Sequence, residues 1–225
     1  MRVALLVLAG CGRLAFDPSV PSADAPRTAD ASADTNAAPD AAPICASPCT
    51  VADSLADWDG VNQDTKGWSY GYWWAETDPD GVYSAATDFT PMVSVSGLWR
   101  PPDFDPNTTS ANYTWCYLAQ WGGHPGFNPQ RKYPVRRWTS TVAGLAAIAI
   151  HVDKSDPNGG DGVQATLIVD GATVWQQAID GTDATGVTHT ATVVLHAGST
   201  VDYMLDPRAD DAVDTTDEQL TISGP

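Results

Sequence analysis

Nine tryptophans in a chain of 225 residues are the first chemical feature of this sequence. A Trp ring gives a broad flat face at low conformational cost and keeps one polar edge. Such a face can receive the C–H side of a sugar ring while neighbouring carboxylates and amides take the hydroxyls. Trp58, Trp73, Trp99 and Trp121 stand beside Gly, Pro or Asp, and therefore near loops. Trp68, Trp115 and Trp138 stand in strand-like runs, where burial in a core is the stronger reading. Trp73 lies opposite a period-two aromatic face, and Trp99 precedes Arg100-Pro101-Pro102. These two are the expected platform residues, and Trp121 joins them in the candidate ligand-binding set.

Three other groups carry charge or titrate. Arg131, Lys132, Arg136 and Arg137 hold half of the eight positive charges that follow Cys45. One reading is a grip on acidic sugars, because Arg meets carboxylates bidentately. The other is internal pairing with the chain's own Asp residues and stacking on Trp. In a strand Arg136 and Arg137 face opposite ways, so Arg131 and Arg137 are kept as the ligand-binding candidates. His124, in Gly122-Gly123-His124-Pro125-Gly126, sits in a Gly-rich stretch that suits a ligand contact or a loop hydrogen bond. No nucleophile motif and no second His at metal spacing accompany it. Finally, residues 206–217 carry five Asp. Calcium takes carboxylate and carbonyl oxygens, so a structural calcium is expected there, with Asp214 leading and Asp210 and Asp211 beside it. Solvated turn acids are the competing reading.

Composition removes several classes of function. With 28 acidic and 11 basic residues the formal net charge is −17, which repels a nucleic-acid backbone. No window approaches the roughly 20 apolar residues that a membrane-spanning helix needs. Residues 1–10 nevertheless have the positive start and apolar run of an export signal. The sequence Leu8-Ala9-Gly10-Cys11 resembles a bacterial lipobox, and this resemblance implies cleavage before Cys11 and a lipid on its thiol. The expected contact with a membrane is through that lipid alone. Ala, Asp and Pro supply 20 of the 29 residues from 15 to 43. Such a stretch cannot bury enough apolar surface to offset its ordering entropy. Residues 11–43 therefore read as a disordered tether and residues 44–225 as the folded domain. Export permits disulfides. Cys45 and Cys49, four apart, are the expected pair; a bridge from either to Cys116 is the alternative.

The elements that would position these groups read as strands. Trp68, Tyr70, Tyr72 and Trp74 alternate on one face. Further strands are expected over 111–120, 134–140, 145–152 and 219–223. Asp170-Gly171 between 163–169 and 172–179 is a hairpin signal, and residues 196–199 between 187–195 and 200–205 read as a second hairpin. No amphipathic helix is legible. Turn signals at this spacing predict an all-β, antiparallel sandwich or barrel. The succession Trp68-Ser69-Tyr70-Gly71-Tyr72, His124-Pro125, Val135-Arg136-Arg137-Trp138-Thr139-Ser140, Gly160-Asp161-Gly162-Val163 and Asp214-Thr215-Thr216 resembles secreted jelly-roll β-sandwich domains related to carbohydrate-binding modules. That resemblance implies a jelly-roll-like sandwich and a polysaccharide or glycan partner. Without a catalytic signature, a non-catalytic binding lipoprotein is the leading expectation. A structural or protein-interaction lipoprotein is second, and a small polysaccharide-active enzyme third.

Overall fold

The computed structural model describes residues 49–105, 115–127 and 130–224. The export signal, Cys11, the tether and Cys45 lie outside them. Among the described residues there is no helix, and fourteen strands form two antiparallel sheets.

The strands are β1 (Cys49–Asp53), β2 (Trp68–Trp74), β3 (Thr90–Pro91), β4 (Val93–Val95), β5 (Leu98–Arg100), β6 (Tyr117–Leu118) and β7 (Gly122–His124). They continue with β8 (Lys132–Thr139), β9 (Gly144–Lys154), β10 (Val163–Val169), β11 (Ala172–Ile179), β12 (Val187–Leu195), β13 (Thr200–Asp206) and β14 (Thr216–Gly224). The first sheet runs β12-β9-β14-β7-β6-β5-β4, with β1 also paired to β14. The second runs β11-β10-β13-β8-β2-β3.

Period-two alternation sets the two faces of the second sheet. Trp68, Tyr70 and Tyr72 point inward with Trp138, Leu167, Val201 and Tyr203, against Ile148, Ile150, Leu220 and Ile222 of the first sheet. Trp73 points outward, opposite Tyr133 in the β2–β8 register. Val135, Ile168 and Met204 share that outer face, and Tyr83 and Phe89 pack onto it. Residues 75–89 thus form a strap across the outside of the sheet. Gly71 permits this close approach, since a Cβ there would meet the Phe89 ring at 2.6 Å.

The β10–β11 hairpin forms as the Asp170-Gly171 signal predicts, with both turn residues at positive φ. The second predicted hairpin does not form. Strand β12 pairs β9 in the first sheet, whereas β13 pairs β10 and β8 in the second. The turn at 196–199 reverses the chain, but the two strands that it joins bury their apolar faces in opposite layers. It is a crossover between sheets. Of the strand expected over 111–120, only Tyr117–Leu118 is a strand among the described residues.

Candidate functional site

The basic cluster is mostly internal. Arg136 points into the sandwich, fully buried, and binds Glu218 of the facing sheet at 2.9 Å. Its guanidinium also donates to the Ala119 carbonyl and lies 5.1 Å from the Trp58 ring. Lys132 is buried against Asp103 and the Trp74 ring. Arg137 faces outward as expected but lies under the strap. It is held by Asp202 at 2.7 Å and by the Phe89 ring at 4.0 Å, so it is no ligand contact. Burying charge is costly unless it is paired, and the pairing accounts for these positions. Arg131 differs: it is exposed, with its guanidinium 4.6 Å from the Phe127 ring.

Arg131 and Trp73, both singled out from sequence, come together at one cleft. It has a volume of about 400 Å3 and is lined by Trp73, Ala75, Glu76, Gly81, Phe127, Arg131 and Tyr133. Trp73 meets Tyr133 edge to face at 5.0 Å and Tyr83 at 5.8 Å. Its indole N–H donates to Asp78 at 2.9 Å. With 7% of its surface exposed, Trp73 is a wall of the cleft and not the open platform that the sequence suggested. Burial, and then the Asp206 carboxylate beside it, push the Tyr133 phenol up to about 12. The phenol is therefore a neutral hydrogen-bonding group at neutral pH. Burial likewise raises Asp206. The cleft combines three aromatic side chains, one cation and one carboxylate, a set suited to a polyhydroxylated ring with an apolar face.

The other expected positions lie elsewhere. Trp99 is in the core, 2% exposed, stacked on Tyr70 at 5.2 Å with its N–H on the Asp59 carbonyl. Its β5 position pairs with inward-facing Leu118, and this fixes its side. Trp121 is 46% exposed but sits in the β6–β7 turn of the first sheet. His124 is buried on that same sheet, stacked on Tyr117 at 5.8 Å, with Nδ1 2.6 Å from the Pro125 carbonyl. Burial lowers its pKa, and it does not reach the cleft.

At the centre of the acidic loop a carboxylate pairs with a lysine. Asp214 is fully buried and accepts from Lys154 Nζ at 2.8 Å, and the same ammonium donates to the Val213 carbonyl at 2.6 Å. Burial still pushes the Asp214 carboxyl up to about 6. Asp210 accepts from the Ala212 N–H and Asp211 from the Phe127 N–H. The three carboxylates do not converge, and among the described residues no group of three or more His, Cys, Asp or Glu could hold a metal. Lys154, distant in sequence, supplies the positive charge expected from calcium. Cys116 is a buried free thiol, which removes the alternative bridge from Cys45 or Cys49 to it.

Sequence reasoning missed Phe127, Tyr133 and Glu76. Tyr133 was legible in principle, since it shares period-two phase with Val135 and Arg137 on the face opposite Trp138. Phe127 and Glu76 lie outside any periodic run.

No family model matches the chain, and no curated protein matches it. Among solved structures it is similar to the CBM51-2 and INT domains of Clostridium perfringens ZmpB in complex with GlcNAc. That likeness has 13% identity and a TM-score of 0.33 over 47% of this chain and 22% of that one. The chain thus spans about a fifth of that structure's length. It is also similar to the C-terminal CBM6 of LamC from Zobellia galactanivorans, with 10% identity and a TM-score of 0.28 over 43% and 83% of the two chains. A third likeness is to a CBM36 in complex with calcium and xylotriose, with 16% identity and a TM-score of 0.25 over 44% and 84%. At such identities and scores, what those proteins bind says nothing of what this chain binds.

Proposed function

We propose that the chain is an exported lipoprotein, anchored through Cys11, whose β-sandwich binds a neutral glycan without cleaving it. The observation that carries the glycan reading is the cleft of Trp73, Tyr133 and Phe127 with Arg131 and Glu76. Aromatic rings supply the apolar contact, and the cation and carboxylate bond hydroxyls in a defined direction. Glu76 lines the cleft and the Asp206 carboxylate lies beside its Tyr133; the non-catalytic reading rests on the sequence, which carries no catalytic signature. The anchor rests on the sequence alone, on Leu8-Ala9-Gly10-Cys11 after an apolar run.

A glycan array with the purified chain tests the binding reading. Retention on a neutral sugar class, lost on Arg131→Ala with an unchanged melting temperature, supports it. Equal retention by the variant places binding elsewhere, and no retention at all refutes it. Cys11→Ser tests the anchor separately: the variant should leave the membrane fraction, and undiminished membrane association would refute lipidation at that residue.

A further inference from the structure

The strap at 75–89 has a cleft on each side. One is the cleft just described. The other, of about 490 Å3, is lined by Tyr83, Ser84, Ala85, Ala86, Asp170, Gly171 and Thr200. Both open on the outer face of the second sheet. Thr200 pairs with Thr139, six residues along β8 from Tyr133. At the rise of a strand the far walls of the two clefts are therefore about 20 Å apart along the sheet, so that a run of several sugar rings would reach from one to the other.

The partition between them is aromatic and fixed. Trp73, which lines the first cleft, meets Tyr83, which lines the second, ring to ring at 5.8 Å. The Tyr83 hydroxyl donates to Asp202 at 2.8 Å and accepts from Arg137 at 3.1 Å. Arg137 also donates to the Ala85 carbonyl at 2.7 Å. One buried ion pair thus holds the strap from beneath, and neither cleft has to be assembled when a ligand arrives. Preformed geometry of this kind lowers the cost of binding.

The second cleft is simpler than the first, with no cation among its lining residues. It has one aromatic ring, the hydroxyls of Ser84 and Thr200, and the Asp170 carboxylate, whose two oxygens accept from the Ser199 hydroxyl and the Thr200 N–H at 2.8 Å each. Ala85, Ala86 and Gly171 keep its walls low. We infer that this cleft is a second subsite of the same surface, and that the protein holds the interior of an extended hydroxylated polymer at two points, not a chain end at one. This rests on the glycan-binding reading of the first cleft. Two linked contacts bind as one event at high effective concentration, so affinity should climb steeply once a ligand is long enough to reach both.

The test is calorimetric titration of the purified full chain with cello-, xylo- and laminari-oligosaccharides, from dimer to hexamer. For the series that binds, affinity should rise about tenfold or more between dimer and hexamer. Ala86→Trp, which fills the second cleft from an exposed position, should reduce the hexamer to the affinity of the dimer and leave the dimer unchanged. Thr200→Val, which removes a hydroxyl and keeps the shape, should weaken the hexamer alone. Both variants should melt with the unaltered chain, and if Ala86→Trp does not, Thr200→Val decides. Dimer and hexamer binding equally, or hexamer affinity indifferent to these variants, overturns the second subsite and leaves the first standing. No binding by any series overturns both.

Discussion

Removing the buried guanidinium of Arg136 should cost this fold more than removing almost any single surface or loop charge. Arg136 comes from the second sheet and Glu218 from the first, and both side chains are fully buried at 2.9 Å. Arg136→Met leaves the Glu218 carboxyl buried without its counter-charge. Breaking a buried pair on one side costs about 3–5 kcal/mol, a large part of the roughly 5–15 kcal/mol that holds a domain folded. Replacing both partners by apolar side chains of similar volume removes the stranded charge, and such exchanges are often neutral or stabilising. Arg136→Met with Glu218→Leu should therefore recover most of what Arg136→Met loses. Urea unfolding followed by Trp fluorescence reads this, and the single variant should lower the midpoint by about 1 M or more. Burial already raises Glu218 while Arg136 opposes that rise. The deficit of Arg136→Met should accordingly shrink as pH falls and Glu218 takes up a proton. A single variant within about 1 kcal/mol of the unaltered chain, or a double variant as unstable as the single, would refute the account of this pair.

Three further outcomes follow from the same structure. Burial raises Asp214 to about 6 and also raises Asp153, Asp206 and Glu218. An acid with a raised pKa binds its proton more tightly when folded, so its stabilisation is full below the unfolded value and is lost as pH rises through the folded one. These four acids should thus raise the melting temperature as pH falls from about 8 to about 5, against His124, whose lowered pKa works the other way over the same window; four groups against one give a net climb, and a fall that persists in a His124→Gln variant would contradict these burials. Asp59, held down to about 2 chiefly by the Asn62 backbone N–H, opposes the trend only in stronger acid. Because Lys154 already neutralises Asp214, millimolar calcium at constant ionic strength should leave the melting temperature where chelator leaves it. A rise of several degrees would show a metal site that the Lys154 pairing does not predict. Gly71→Ala should push the strap off the sheet, since its Cβ would meet Phe89 at 2.6 Å and the Thr90 carbonyl at 2.7 Å. The expected cost is about 1–3 kcal/mol, with weakened glycan binding; unchanged binding would mean that the strap has no part in the site.

What the sequence disclosed was local. The alternation from Trp68 to Trp74 and the Asp170-Gly171 turn depend on neighbouring residues, and the structure has both. Which strands become neighbours depends on packing, and this is why residues 196–199 read as a hairpin turn when they carry the chain between sheets. The same limit governs the charges. Lys154 and Asp214 are 60 residues apart and Arg136 and Glu218 are 82 apart, so no spacing rule brings them together. Of the residues chosen for ligand contact, Trp73 and Arg131 meet at one cleft because both border the outer face of β2 and β8. Trp99, with the same composition of neighbours, takes the inward phase of its strand and is lost to the core.

These pairings also decide what kind of polymer can approach. Among the described residues, at least five of the eight lysines and arginines that follow Cys45 sit in ion pairs. Four of those five have side chains 0–14% exposed, so little of their charge reaches solvent. The excess carboxylates of a chain at −17 therefore dominate its surface field. A polyuronate would be repelled on approach, and one exposed Arg131 beside Glu76 does not reverse that field. A neutral chain meets no such barrier, and its contacts with rings and hydroxyls are little affected by salt. Glycan affinity should accordingly stay nearly constant as ionic strength rises across the range in which the Debye length falls from about 30 Å to about 8 Å. Affinity for a uronate polymer that exceeds affinity for its neutral counterpart, and that weakens as salt is added, would show Arg131 acting as an anion site and would overturn the neutral-ligand reading.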